Sequence, residues 1–554
     1  MTIQIDTNRD ANLTDFSKAV LEDRYVLTID NNKELIQELF KRVAEAYKDN
    51  DAHGQRIYDY MSKCWFMPAT PILANGGLKD NHSLPISCYL NEVLDKLVNV
   101  LEARGEGATV GTIANIFSNN VKSNNVLHNV DELVNSAEQI TKLRTENGYL
   151  ATSGGGIGTY WGNVREMGSK IGKRGDALGI IPQMKVQDSM ILADTQSGIR
   201  RGSSAAYLPI SHPEIQEFID IRRPTGGDPN RRCLNLHHGV VVTDDFMEAV
   251  KDGRNYCLKS PKNNNVIAEV SARDLWIKIL NARIETGEPY ILYEGNMQKN
   301  KSPVYQAMEE RYNIKPKTSN LCSEITLFTG LDQFQKERTA VCCLSSLNLE
   351  YFEQWENDEL FIEDIMRFLD NVLTDFINRA PDTMEKARYS AMRERSVGLG
   401  VMGFHSFLQS KNTPLEGVAT KSWNKTIFKH IKEKCDLANE TLANEKGACP
   451  DAKDLGLNLR FSNCTAIAPT ASISIIAGNS SPGIEPFVAN CYTHKTLSGT
   501  FIVRNKHLAK LLESKGKNTS EVWSSISMNE GSVQHLDCLT PEEKDVFKTA
   551  MEIN

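Results

Sequence analysis

The sequence predicts an α/β fold opened by a helical N-terminal region, and three features carry that reading. Apolar residues between positions 14 and 64 recur at helical spacing. Two prolines then stop the pattern. From residue 243 onward, helical stretches alternate with short apolar segments, as they do when helices pack on a mainly parallel sheet.

In chain order, Ile36, Leu39, Phe40 and Val43 repeat every three or four residues, and Ile57, Tyr58, Tyr60 and Met61 extend the helical text. Pro68 and Pro71, within WFMPATP at 65–71, end it, because proline lacks the amide that a helix needs. The chain therefore divides into a helical region, 1–66, and an α/β region, 67–554. Between 70 and 201 glycine and small polar residues dominate, and the Asn- and Ser-rich text at 118–129 reads as an exposed loop. Helices are expected at 272–286, 363–378 and 393–408, the last despite its glycines. Strands are expected at 238–242, 320–328, 341–349 and 473–477. There is no internal repeat and no linker long enough to cut the chain.

Charge excludes one class of function. Lys and Arg total 63 against 71 Asp and Glu, a net charge of −8, whereas a dedicated nucleic-acid binder carries a basic excess. Sites for small phosphates need only local donors and stay open. No apolar run reaches 18 residues and the N-terminus is polar, so neither a membrane span nor a signal peptide is expected and the cytoplasm is the default. There the twelve cysteines do not form a structural disulfide framework. No CxxC pair and no Cys/His cluster of zinc spacing occurs, so no metal site is expected. Most of the thiols are expected to be small buried hydrophobes.

The most informative segment is SNLCSEI at 319–325. In an extended chain, residues two apart share a face, so Asn320, Cys322 and Glu324 would project together. They offer an amide to hold hydroxyls, a thiol to act as nucleophile or radical carrier, and a carboxylate to move a proton. An ordinary strand with chance polar residues is the plain alternative. Cys88 and Cys342 lie in similar text, and two cysteines from distant segments can deliver two electrons as they form a disulfide; the plain alternative is two core thiols. Cys343, on the opposite strand face, is expected in the core. PTASISI at 469–475 supplies hydroxyls and backbone amides suited to a diphosphate, or simply a capped turn. The glycines at 154–158 would let a ligand approach the backbone. Arg200 and Arg201 offer an anion contact or lie in a solvated loop.

Together these segments resemble the large, catalytic subunit of class I ribonucleotide reductase. The matching text is WFMPATPILANGG at 65–77, PISCYLNE at 85–92, GGGIGTYWGNVR at 154–165, SNLCSEI at 319–325, AVCCLSSLNLE at 340–350, MRERSVGLGVMGFHSFL at 392–408 and PTASISII at 469–476. Seven motifs fall in the family's order, from about residue 25 to the end. The resemblance implies a ten-stranded α/β barrel with the radical cysteine on an inner finger loop, and the activity of a ribonucleoside-diphosphate reductase. Cys322 would be the thiyl radical that abstracts the ribose 3′ hydrogen, Glu324 the base at the 3′ hydroxyl, and Asn320 the group holding substrate there. Cys88 and Cys342 would be the reducing dithiol. Thr70, Ser87, Gly156, Thr470, Ala471, Ser472 and Ile473 would hold the nucleoside diphosphate. Asp95 and Arg165 would contact a nucleoside triphosphate specificity effector, and the loop with Gln196, Arg200 and Arg201 would relay its identity.

No covalently bound cofactor is implied. The radical would come from a metal-containing small subunit, electrons from thioredoxin or glutaredoxin, and the chain would form a homodimer. Little sequence precedes Trp65, so no ATP-cone is expected. The 65 residues between Cys88 and Gly154 suggest an insertion near 97–145. With no Tyr-Tyr pair and no CxxC before Asn554, a second polypeptide is expected to supply the C-terminal end. Two alternatives remain. A cobalamin-dependent class II reductase usually has proline before its finger-loop cysteine, where this chain has Leu321. A nucleotide-binding, non-catalytic descendant would bind nucleotides without reducing them.

Overall fold

The computed structural model describes residues 2–29, 32–79, 84–86, 88–94, 136–171, 175–194, 201–496 and 499–553. Ser87, Asp95, Gln196, Arg200, the 118–129 segment and most of the expected insertion lie outside the described residues.

The N-terminal region is helical, as the periodicity requires. Helix α1 spans Asp15–Arg24, α2 Ile36–Ala46 and α3 Asp51–Ser62. Thr14 and Asn50 cap α1 and α3 by accepting the amides of Ser17 and His53, which satisfies donors that a helix start leaves open. The Ile36, Leu39, Phe40 and Val43 stripe is buried.

Five parallel strands follow. They are β2 to β6 when the short Phe66–Pro68 strand is counted as β1: β2 is Cys88–Glu92, β3 Gly156–Tyr160, β4 Ser203–Pro209, β5 His237–Val242 and β6 Tyr290–Tyr293. Strands β2 to β6 lie side by side in sequence order. Helix α4 (Ser136–Thr152) connects β2 to β3, α5 (Ile181–Asp194) connects β3 to β4, and α6 (Ala272–Thr286) precedes β6. Such helical crossovers are what parallel neighbours need.

The extended run 340–348 joins this sheet to a second one. Its first part, β7 (Ala340–Val341), is antiparallel to β2. Its second part, β8 (Cys343–Asn348), is parallel to β9 (Val397–Met402) and antiparallel to β1. Strands β2 to β6 therefore run opposite to the 340–348 run, whereas β9 runs with it, and Cys342 stands at the handover. Among the described residues the sheets hold six and three strands, and Thr465 extends the second by a parallel bridge to Leu399. Helix α7 (Phe361–Arg379) packs with the N-terminal helices, β8 and β9 in the largest apolar cluster. No helix among the described residues is long and apolar enough to cross a membrane.

Three expected elements differ. The helix expected at 393–408 ends at Glu394, gives way to β9, and a new helix starts at Phe404. Its glycines serve strand packing: a Cβ on Gly398 would lie 2.5 Å from Leu344 Cδ2, and one on Gly400 would collide with the Ala466 carbonyl. The strand expected at 473–477 is a helical turn, Ile473–Ile476, closed by the Ser474 amide donating to the Thr470 carbonyl at 2.9 Å. The strand expected at 320–328 is an irregular loop.

Candidate active site

Strand register decides which side chains face the interior. Cys88 pairs with Gly156, Leu90 with Gly158 and Glu92 with Tyr160, so these residues share one face. Gly158 leaves that face open. A Cβ there would collide with the Ser319 carbonyl and lie 2.8 Å from Asn320 Cα. The 313–329 loop is thus threaded against the inner face of the sheet, where only glycine tolerates its backbone.

The loop is held by its own polar groups. Asn320 Oδ1 accepts the amides of Glu324 (3.1 Å) and Ile325 (3.2 Å). Ser319 Oγ donates to the Ile325 carbonyl at 2.6 Å. Ser323 adopts φ +68°, and its amide donates to the Asn320 carbonyl at 3.3 Å. This side-chain-to-backbone bonding competes with strand pairing, which is why the segment forms a turn rather than a strand. Below it, Tyr305 Oη accepts the Phe328 amide and donates to Glu394, both at 2.8 Å. Glu394 in turn joins Arg338, which binds Asp332 and Asp451.

The turn rearranges the expected trio. Cys322 is exposed at its tip, and Cys322 and Glu324 line a common cleft. Asn320 is fully buried behind them, with its Nδ2 lacking a protein partner. The cleft measures about 250 Å³ and is also lined by Thr70, Cys88 and 470–473, so text more than 380 residues apart converges there.

The register places Cys342 opposite Cys88, since Val341 pairs with Tyr89 and Ala340 with Leu90. The Cys342 amide donates to the Cys88 carbonyl at 3.4 Å. Directly opposed antiparallel residues have Cβ atoms about 4.5–5.5 Å apart, close to disulfide geometry. The two cysteines are not joined by a disulfide in this structure. Burial, reinforced by Cys88, pushes the Cys342 thiol well above the usual range. Cys343 is buried in the main core, as expected.

Thr470 has φ +56°, and its Oγ1 accepts the Gly483 amide at 2.7 Å. Thr70 Oγ1 lies 3.1 Å from Tyr25 Oη. Gly156 sits in the strand beside Cys88. Arg165 is buried after β3, donating to the Lys170 carbonyl at 3.3 Å. Arg201 is exposed before β4. Neither arginine lines the cleft.

Sequence reasoning missed Arg24, Tyr25 and Ser346, which also line the cleft. Arg24 and Tyr25 come from the end of α1 and carry no local signal. Ser346 did carry one: it shares the face of Cys342 and Leu344 by alternation. Its hydroxyl is buried without a protein partner, a state that favours a bound ligand or water.

Comparison with known proteins gives one family. The all-alpha domain of ribonucleotide reductase matches residues 11–81, and its barrel domain matches 123–456 and 453–554. The chain is 36% identical over 610 aligned residues to the ribonucleoside-diphosphate reductase large subunit of Invertebrate iridescent virus 3, covering 100% of this chain and 87% of that protein. It is 36% identical to the putative ribonucleoside-diphosphate reductase large subunit of Frog virus 3 (isolate Goorha), covering 93% and 81%. Among solved structures, the Actinobacillus ureae class Id ribonucleotide reductase alpha subunit superposes with a TM-score of 0.76 at 31% identity, covering 99% of this chain and 87% of that one.

Proposed function

Because the chain belongs to the ribonucleotide reductase large-subunit family, we propose that it is the catalytic subunit that reduces ribonucleoside diphosphates to deoxyribonucleoside diphosphates. The observation that carries this reading is the convergence of Cys322, Glu324 and Cys88 on one cleft, with Cys342 in register behind Cys88.

The chemistry follows from the positions. Cys322 as a thiyl radical takes the 3′ hydrogen of the ribose, and its S–H bond forms as the C–H bond breaks. Glu324 accepts the 3′ hydroxyl proton. The 2′ hydroxyl leaves as water with a proton from the Cys88–Cys342 dithiol, whose two electrons end as a disulfide. Cys322 then returns its hydrogen to C3′. Asn320 holds the loop that carries both groups. Thr70, Arg24, Ser346 and the 470–473 turn bind the substrate, with hydroxyls and a cation suited to ribose and phosphate. Substrate seated in the cleft covers the otherwise exposed Cys322 and so limits side reactions of the radical.

The partners follow from the family. A radical-generating small subunit oxidises Cys322, a thioredoxin- or glutaredoxin-class dithiol restores Cys88 and Cys342, and a second copy completes a homodimer. Arg165 and Arg201 belong to the triphosphate effector site.

The test is reduction of CDP by the pre-reduced chain with its radical subunit and an effector triphosphate, with no external dithiol. The expected yield is about one dCDP per chain, accompanied by a Cys88–Cys342 disulfide in the peptide map. Nucleotide binding without dCDP would instead support the non-catalytic descendant.

A further inference from the structure

Three tyrosines occupy one row across the inner face of the first sheet. Tyr160 pairs with Tyr207, Tyr207 with Gly239, and Gly239 with Tyr290. Gly239 brings the last two together: a Cβ there would lie 2.6 Å from Tyr207 Cε1 and 3.3 Å from Tyr290 Cβ. Ala205, Val241 and Leu292 enclose the row, and Leu321, next to Cys322, packs into the same cluster.

The middle tyrosine of the row grips the turn that carries the reactive thiol. Tyr207 is fully buried. Its hydroxyl donates to the Asn320 carbonyl at 2.5 Å and lies 2.9 Å from Ser323 Oγ, bracketing Cys322. The Tyr290 end reaches the surface. Tyr290 is half-buried and its ring lies parallel to His237, with centroids 6.3 Å apart and planes at 9°. His237 is partly exposed and held by Glu288 at 2.5 Å.

Resting on the reductase reading, the geometry points to a protective outlet for the radical: when no substrate occupies the cleft, Tyr207 and Tyr290 carry the unpaired electron from Cys322 to the surface beside His237. The bookkeeping of atoms is closed. Cys322 S• takes a hydrogen atom from Tyr207, so an S–H bond forms and the phenolic O–H bond breaks. Tyr290 then supplies an electron to the Tyr207 phenoxyl, which regains a proton through the turn's hydroxyl, while Tyr290 loses its own proton to solvent. A soluble thiol reduces the Tyr290 radical, which is half-buried at the surface, by donating a hydrogen atom. The hole originates at the oxidised group of the radical subunit. Burial keeps both phenols protonated, Tyr290 being pushed up to about 12 with help from Glu288, so each transfer must move a proton with the electron. With substrate present, abstraction at the ribose competes with the outlet.

The test uses the complete enzyme, with its radical subunit and effector, carrying 3-aminotyrosine at position 290, a residue more easily oxidised than tyrosine. When the reaction is started without CDP, an aminotyrosyl signal is expected by electron paramagnetic resonance. It should vanish in the C322S background and drop to baseline in Y207F, which removes only the hydroxyl. Y290F enzyme held without CDP should also lose its later CDP-reducing activity faster than wild type. An enzyme that reduces CDP yet shows no signal at position 290, or a signal that survives C322S, would overturn the outlet. A wild-type preparation that makes no dCDP overturns the reductase reading, and the outlet with it.

Discussion

Cys322 owes its place to its neighbours rather than to its own packing. It is exposed at the tip of a turn that Asn320 and Tyr207 hold from behind. Cys322→Ser is therefore expected to leave the thermal midpoint unchanged within error while abolishing dCDP formation. Glu324→Gln removes the proposed base but keeps the shape, and a fall in kcat of roughly 10²–10⁴-fold is expected, measurable in single-turnover assays. Ser346 separates binding from chemistry. Its buried hydroxyl has no protein partner, so Ser346→Ala should raise KM for CDP by about tenfold, the equivalent of ~1.4 kcal/mol for one lost hydrogen bond, with kcat little changed. An unchanged KM would remove Ser346 from the binding site.

At the scale of elements, the 313–329 loop and β3 are a matched pair. Gly158→Ala drives a methyl group into the Ser319 carbonyl, and neither backbone can yield without disturbing a sheet or the turn. A loss of about 1–3 kcal/mol is expected from overpacking alone, read from denaturant unfolding, together with loss of turnover because Cys322 shifts. Beneath the loop, burial raises the Glu394 carboxyl from 4.5 to about 7 against the pull of Arg338. The folded state then holds a proton that the unfolded state has lost. Glu394 thus contributes stability below pH 4.5, and that contribution fades as pH rises through the interval to about 7. Glu394→Gln should flatten this part of the stability profile, and an unchanged slope would refute the assignment.

For the molecule as a whole, the barrel is tied to the C-terminal segments through Glu350. Lys506 Nζ lies 2.7 Å and His507 Nε2 3.2 Å from its carboxylate. Burial alone would raise this carboxyl, but Lys506 and His507 outweigh it and hold it at about 2. The stability it confers is complete above pH 4.5 and is lost as pH falls toward 2. Acid unfolding followed by tryptophan fluorescence should therefore begin earlier in the region of Trp523, which lies in the C-terminal cluster, in Lys506→Ala than in the parent. Coincident transitions in the two proteins would show that the tie is not limiting.

Local text determined what local physics controls. The α2 stripe, the α6 helix over 272–286 and the β5 strand were legible because apolar spacing and caps act within a few residues. The cysteines and carboxylate of the cleft were singled out by residue type and by the motifs that resemble the family, and their catalytic roles are the proposal made above. Tertiary structure decided the rest. The 320–328 segment reads as a strand by alternation, but Asn320 recruits its amides, Ser323 turns the backbone at φ +68° and Gly158 leaves space for a turn. The glycines of β9 look like weak points of a helix until Leu344 and Ala466 press against them. Arg24 and Tyr25 reach the cleft, and three tyrosines fall into one row, only through packing and strand register. Those alignments depend on contacts between residues tens to hundreds of positions apart, which no local pattern encodes.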